Sequence, residues 1–177
     1  MKIKYLFISL TFVFLIACSQ KIKKAEIQNV PEILEDWHSF DNDFFSIRYP
    51  RNWEKQRGPE GTVFCILSTP SSPVDTFREN VNLVIEELTK EITLDRYAAL
   101  SLKNIGNKYK VTDERKYAAN GQEYYYLKLK ERDGIFLEQN YFIKGKRAYI
   151  LTFTYEPQEQ ESVKTDGDKI MKSFRLK

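Results

Sequence analysis

Three short turn signals divide the C-terminal half of the chain into four alternating segments, and they constrain the fold more than any other feature. "NG" at Asn120-Gly121, "DG" at Asp133-Gly134 and "GK" at Gly145-Lys146 separate "KYKVTDERKYA", "QEYYYLKLKER", "IFLEQNYFIK" and "RAYILTFTY". Pairs of this kind tolerate the positive φ angles of a tight hairpin turn, whose twist matches that of the flanking strands. Apolar and polar residues alternate within the segments, as half-buried strands require. Together they predict a four-stranded antiparallel meander. In the last segment Tyr149, Leu151, Phe153 and Tyr155 share a face and Ile150 lies on the other, which predicts a central strand covered on both sides.

The segments upstream add strands and a helix. "FFSIRYP" alternates Phe45, Ile47 and Tyr49 against Ser46 and Arg48, "GTVFCILST" is a second strand candidate, and "NVNLVIEEL" places Val81, Leu83 and Ile85 on one face. In "TLDRYAALSLKNIGN" the spacing predicts a helix, with Thr93 as its cap, Asp95 in the first turn and Gly106 closing the end. Leu94, Tyr97, Ala98, Leu102 and Ile105 form its apolar stripe. The terminal "PQEQESVKTDGDKIMKSFRLK" runs from acidic to basic, as the helix dipole favours. Its stripe is sparse, and Gly167 in its middle is expected to cost about 1 kcal/mol. The fold class is α+β: a mainly antiparallel sheet with one helix inserted and one at the end, forming a single domain over residues 37–177.

The N-terminal residues have another character. Lys2 and Lys4 precede the uncharged run "YLFISLTFVFLIA", whose length of about 13 residues suits a signal peptide and is short of the ~20 a spanning helix needs. "Leu15-Ile16-Ala17-Cys18" resembles the bacterial lipobox. The resemblance implies a signal peptide over 1–17, cleavage before Cys18, diacylation of its thiol and often acylation of the new amino terminus. Residues 18–36 then form the lipidated cysteine and a polar tether, which as a flexible coil would reach about 25 Å. Ser19 in place of an aspartate implies, by the same resemblance, the outer membrane facing the periplasm if the cell has one.

Charge narrows the partners. The formal charge is +3, and without Lys2 and Lys4 it falls to +1, with both signs mixed along the chain. That speaks against a general nucleic-acid or acidic-membrane binder. If Cys18 carries lipid, Cys65 has no disulfide partner; set in "TVFCIL", it reads as a small buried hydrophobe.

Element order and local strings resemble the PsbP-like family, which includes the lumenal extrinsic subunit of photosystem II and many bacterial lipoproteins of unknown role. The matching strings are "FSIRYPRNWE", "NVNLVIEEL", "TLDRYAALSLKNI", "NGQEYYYLKLK", "RAYILTFTYEP" and "DKIMKSFRL", over roughly Phe44 to Leu176. The resemblance implies an α-β-α sandwich around an antiparallel sheet and a role in docking onto other proteins.

No residue set specifies a reaction. His38 is the single histidine; with Ser39 and Asp41 it forms a triad only on paper, and it reads as a surface or turn residue. "DNDFF" lacks the glycine and terminal glutamate of a calcium loop and reads as a turn. Glu86 and Glu87 point to opposite sides of a strand. No catalytic residue, metal site or cofactor is expected. On "EYYYLKLK", Tyr125, Leu127 and Leu129 share one face, and Tyr124, Tyr126, Lys128 and Lys130 the other. Tyrosines beside lysines suit a docking surface; alternatively a flanking helix covers the tyrosines and the lysines emerge at the margin. The chain therefore reads as a non-catalytic binding or assembly module of the cell envelope, held to the membrane by acyl chains on Cys18 and docking through Tyr124, Tyr126 and Lys128 onto an envelope protein. A small-ligand carrier with a pocket between sheet and helix is the alternative, and a hydrolase a more distant one.

Overall fold

The computed structural model describes residues 36–119, 121–157 and 161–177. The predicted signal segment, Cys18 and all of the tether before Asp36 lie outside the described residues. The meander forms as its turns predict. Strands β6 (Tyr109–Ala119), β7 (Gln122–Glu131), β8 (Phe136–Lys144) and β9 (Arg147–Tyr155) are antiparallel neighbours. Gly121, Gly134 and Gly145 hold positive φ at the three turns.

Upstream lie β1 (His38–Asp41), β2 (Phe45–Tyr49), β3 (Glu54–Gln56), β4 (Thr62–Leu67) and β5 (Asn80–Glu87). Strand β5 pairs with β9, giving a seven-stranded sheet in the order β3-β4-β5-β9-β8-β7-β6. Strand β9 stands at its centre, and Ala148 through Phe153 are all buried. The apolar residues on its two faces therefore meet two separate cores.

Helix α1 (Leu94–Asn104) covers one face. The Thr93 hydroxyl accepts a hydrogen bond from Arg96 N at 3.2 Å, satisfying a donor that the first turn leaves open. Leu94, Tyr97 and Ala98 pack with Leu127, Leu129, Tyr141 and Ile150. The Tyr97 and Tyr141 rings meet edge to face at 5.5 Å.

The opposite face carries helix α2 (Glu161–Ser173) and a small sheet in which β2 lies between β1 and the two-residue strand β10 (Arg175–Leu176). Phe45, Ile47, Trp53, Ile170 and Phe174 close on Phe64, Leu83, Phe142, Leu151 and Phe153. Ser173 Oγ fixes the end of α2 to β2, accepting from Arg48 N at 2.9 Å and donating to Arg48 O at 3.1 Å.

Strands β1, β3 and β10 were not among the predicted elements. Each is too short for a period to show, and β10 has only two residues. "DNDFF" is a turn: Asn42 Oδ1 accepts from the backbone N–H groups of Phe44 and Phe45, which turns the chain between β1 and β2.

Candidate functional site

Strand alternation and the hairpin register bring the singled-out residues of β7 to the α2 side of the sheet. Tyr117 lies opposite Tyr124, Arg115 opposite Tyr126, and Lys128 opposite Glu138. Tyr124 and Tyr126 are half-buried and point the same way. The Tyr117 ring lies 5.3 Å from that of Tyr124 and 6.1 Å from that of Tyr126. Tyr124 in turn packs on Phe142 at 5.4 Å, and Phe142 on Phe174 at 5.1 Å. An aromatic ladder thus runs from the edge strand β6 into the core, with its outer rings half-exposed.

Beside the ladder sits a charge cluster centred on Glu138, which is only 7% exposed. The Tyr155 hydroxyl donates to Glu138 Oε1 at 2.7 Å, and the Tyr126 phenol also hydrogen-bonds this carboxylate. Lys128 Nζ stands 3.2 Å from Glu138 Oε1 and Lys164 Nζ 3.4 Å, while Lys164 also meets Asp168 at 2.5 Å. Both lysines lie over the Tyr155 ring, at 5.6 and 5.1 Å. Two carboxylates and two ammonium groups balance, so the buried charge is compensated.

The chemistry of the cluster follows from these contacts. Burial pushes the Glu138 carboxyl up, but the Tyr155 hydrogen bond and the Lys164 and Lys128 charges outweigh it and hold the group below the usual range. Burial first, and then Glu138 itself, push the phenols of Tyr155 and Tyr126 far above their ordinary value. Glu138 is therefore an ionised acceptor and the tyrosines fixed donors. A general acid or base works best with a pKa near the working pH, and these groups are driven away from it. The cluster ties α2 to strands β7, β8 and β9.

The other singled-out residues are placed apart from it. His38 is exposed on β1, its ring 5.3 Å from Tyr49. Cys65 is buried on β4 with its thiol pushed up by burial. Glu86 accepts from the Tyr97 hydroxyl at 2.8 Å on the α1 side, while Glu87 meets Arg147 at 2.6 Å. Among the described residues no group of three or more His, Cys, Asp or Glu could hold a metal ion, and no helix is long and apolar enough to cross a membrane.

Glu138 and Lys164 carry no local signal in the sequence, and Tyr155 reads there only as one face of the last strand. The hairpin register held the signal, because a turn at Asp133-Gly134 sets Lys128 opposite Glu138. Lys164 and Tyr155 join only through the tertiary docking of α2.

No family profile matches the chain, and no curated protein matches it in sequence. Solved structures do. The solution structure of cyanobacterial PsbP from Synechocystis is similar with a TM-score of 0.60 at 14% identity, covering 80% of this chain and 93% of that one. A protein of unknown function from Pseudomonas aeruginosa is similar at 0.55 and 15% identity, covering 77% of this chain and 94% of that one. A Bacteroides thetaiotaomicron structure is similar at 0.50 and 14% identity, covering 80% of this chain and 49% of that one, so this chain spans about half its length. The likeness is one of fold: over the described residues the chain has a PsbP-like α+β fold of antiparallel sheets with two α-helices.

Proposed function

We propose that this protein is a non-catalytic, lipid-anchored binding or assembly module of the cell envelope. Its domain is an α-β-α sandwich whose α2 layer is completed by the small sheet of β1, β2 and β10. The anchor is Cys18, carried by the lipobox-like "LIAC", with residues 1–17 as a signal peptide and residues 18–36 as tether to the domain of 37–177. The partner is another envelope protein, and the outer membrane facing the periplasm is the site if the cell has one.

The observation that carries the docking reading is the half-buried ladder of Tyr117, Tyr124 and Tyr126, with Arg115 and Lys130 exposed on the same face. Aromatic rings with a polar tip and arginine are enriched at protein interfaces. The Glu138 cluster makes this face rigid, which lowers the entropy lost on association. Tyr126 and Lys128 contribute through the cluster, and Tyr117 is the ring carried by the edge strand β6.

Site-specific photocrosslinking in cells tests the reading, with the crosslinker at Tyr117 and, on the opposite face, at Leu100 of α1. A discrete envelope-protein adduct from position 117, absent from position 100 and lost in Arg115→Glu, is the expected result. The same adducts from both positions, or none from 117, would refute it.

A further inference from the structure

One cavity lies away from the tyrosine ladder's outer edge, at the end of the sheet where the β6–β7 turn, the end of β8, strand β10 and the start of α1 converge. Its volume is about 540 Å³, within the range of small-molecule sites. Ile92, Leu94, Ile143 and Leu176 supply apolar wall, and Arg175 and Lys144 supply cationic groups.

The two cations differ in setting: Arg175 is half-buried and Lys144 is exposed at the rim. Arg175 Nη1 donates to the backbone oxygens of Lys172 at 2.6 Å and Phe174 at 2.7 Å, which fixes the guanidinium. Among the described residues neither Arg175 nor Lys144 has a carboxylate within ion-pair distance. The acidic wall residue, Glu123, is engaged by Lys116 at 3.3 Å. Burial disfavours the charged form of Arg175, and the two backbone oxygens, which carry no net charge, are what it has against this. A partly desolvated charge without a counter-ion costs free energy, and an incoming anion would recover it. Gln122 holds the wall in place, donating to Phe174 O at 3.0 Å and accepting from Leu176 N at 3.1 Å.

We infer that this cavity binds a small amphipathic anion, with a carboxylate or phosphate head on the Arg175 guanidinium and Lys144 ammonium and a short apolar body against Leu94, Ile143 and Leu176. Arg175 can meet such a head with two parallel hydrogen bonds, and Lys144 adds a point charge at the rim. The site goes beyond the docking reading and stands on different residues. The alternative reading of the sequence, a small-ligand carrier, expects a pocket between sheet and helix; this one opens at the end of the sheet.

The test is a titration of the ¹⁵N-labelled full chain in neutral detergent micelles, followed by NMR. The probes are butyl phosphate and pentanoate, with n-butylamine as the charge-reversed control. Saturable shifts of the Gly121, Glu123 and Leu176 amides with either anion, but not with the amine, are expected. Arg175→Gln should weaken binding about tenfold or more, as loss of a charge-assisted pair predicts. Lys144→Glu, at an exposed position, should keep the dispersed amide spectrum of the folded domain and weaken binding similarly. Unmoved amides, equal shifts with the amine, or unchanged affinity in Lys144→Glu would overturn the proposal.

Discussion

Glu138 shows how a single buried group links stability to pH. Its carboxyl titrates below the ordinary range because Tyr155, Lys164 and Lys128 favour the ionised form more than burial disfavours it. A group whose pKa is depressed on folding contributes stability above its unfolded value, near pH 4.3, and loses it as pH falls through the folded value. Glu138→Gln keeps the shape and gives up the charge. Near neutral pH it should cost about 1.5–3 kcal/mol, the scale of hydrogen bonds to charged groups. Urea unfolding of wild type and variant across acid pH checks this. The gap should be widest above about pH 5 and close well below pH 4 as wild type protonates. A gap independent of pH would mean that geometry, and not ionisation, sets the role of Glu138.

Among the elements, α2 separates local propensity from packing. Gly167 lies mid-helix, and propensity alone predicts that alanine there would stabilise by about 1 kcal/mol. Gly167 is buried and directly under the Phe153 ring, which a β-carbon at this position would overlap. Phe153 is fully buried against Trp53 and Tyr155, so any shift of its ring disturbs the core around it. Gly167→Ala should therefore destabilise, by about 1–3 kcal/mol as overpacking does, and thermal unfolding gives the sign directly. A stabilised variant would show that α2 slides on the sheet. The same residue marks the limit of legibility. The meander, β2, β4, β5 and α1 were readable because each carries its own period and its own turn or cap. The reason for Gly167, the strands β1 and β10, and the joining of Lys164 to Glu138 depend on which surfaces meet, which local pattern does not encode. Tyr124, Tyr126 and Lys128 were legible as one face of a strand, yet their engagement with Phe142 and Glu138 required the neighbouring strand and α2.

At the scale of the whole molecule, the described domain holds itself together without a disulfide. Cys65 is buried and free, and two packed cores lie on either side of the sheet. Cys18 itself lies outside the described residues. If the "LIAC" resemblance carries its chemistry, the thiol receives a diacylglyceryl group and the chain is cut before it. Two acyl chains hold a protein at a membrane where one binds only marginally, since each buried methylene contributes about 0.8 kcal/mol. Cys18→Ser removes the acceptor and should leave an uncleaved precursor or a mislocalised protein. Labelling cells with a palmitate analogue and fractionating them reads both consequences: wild type should incorporate label and sediment with membranes, and the variant should incorporate none. Equal labelling and membrane attachment in the variant would remove the anchor from the proposal, while the tyrosine ladder and the cationic cavity would still stand on their own tests.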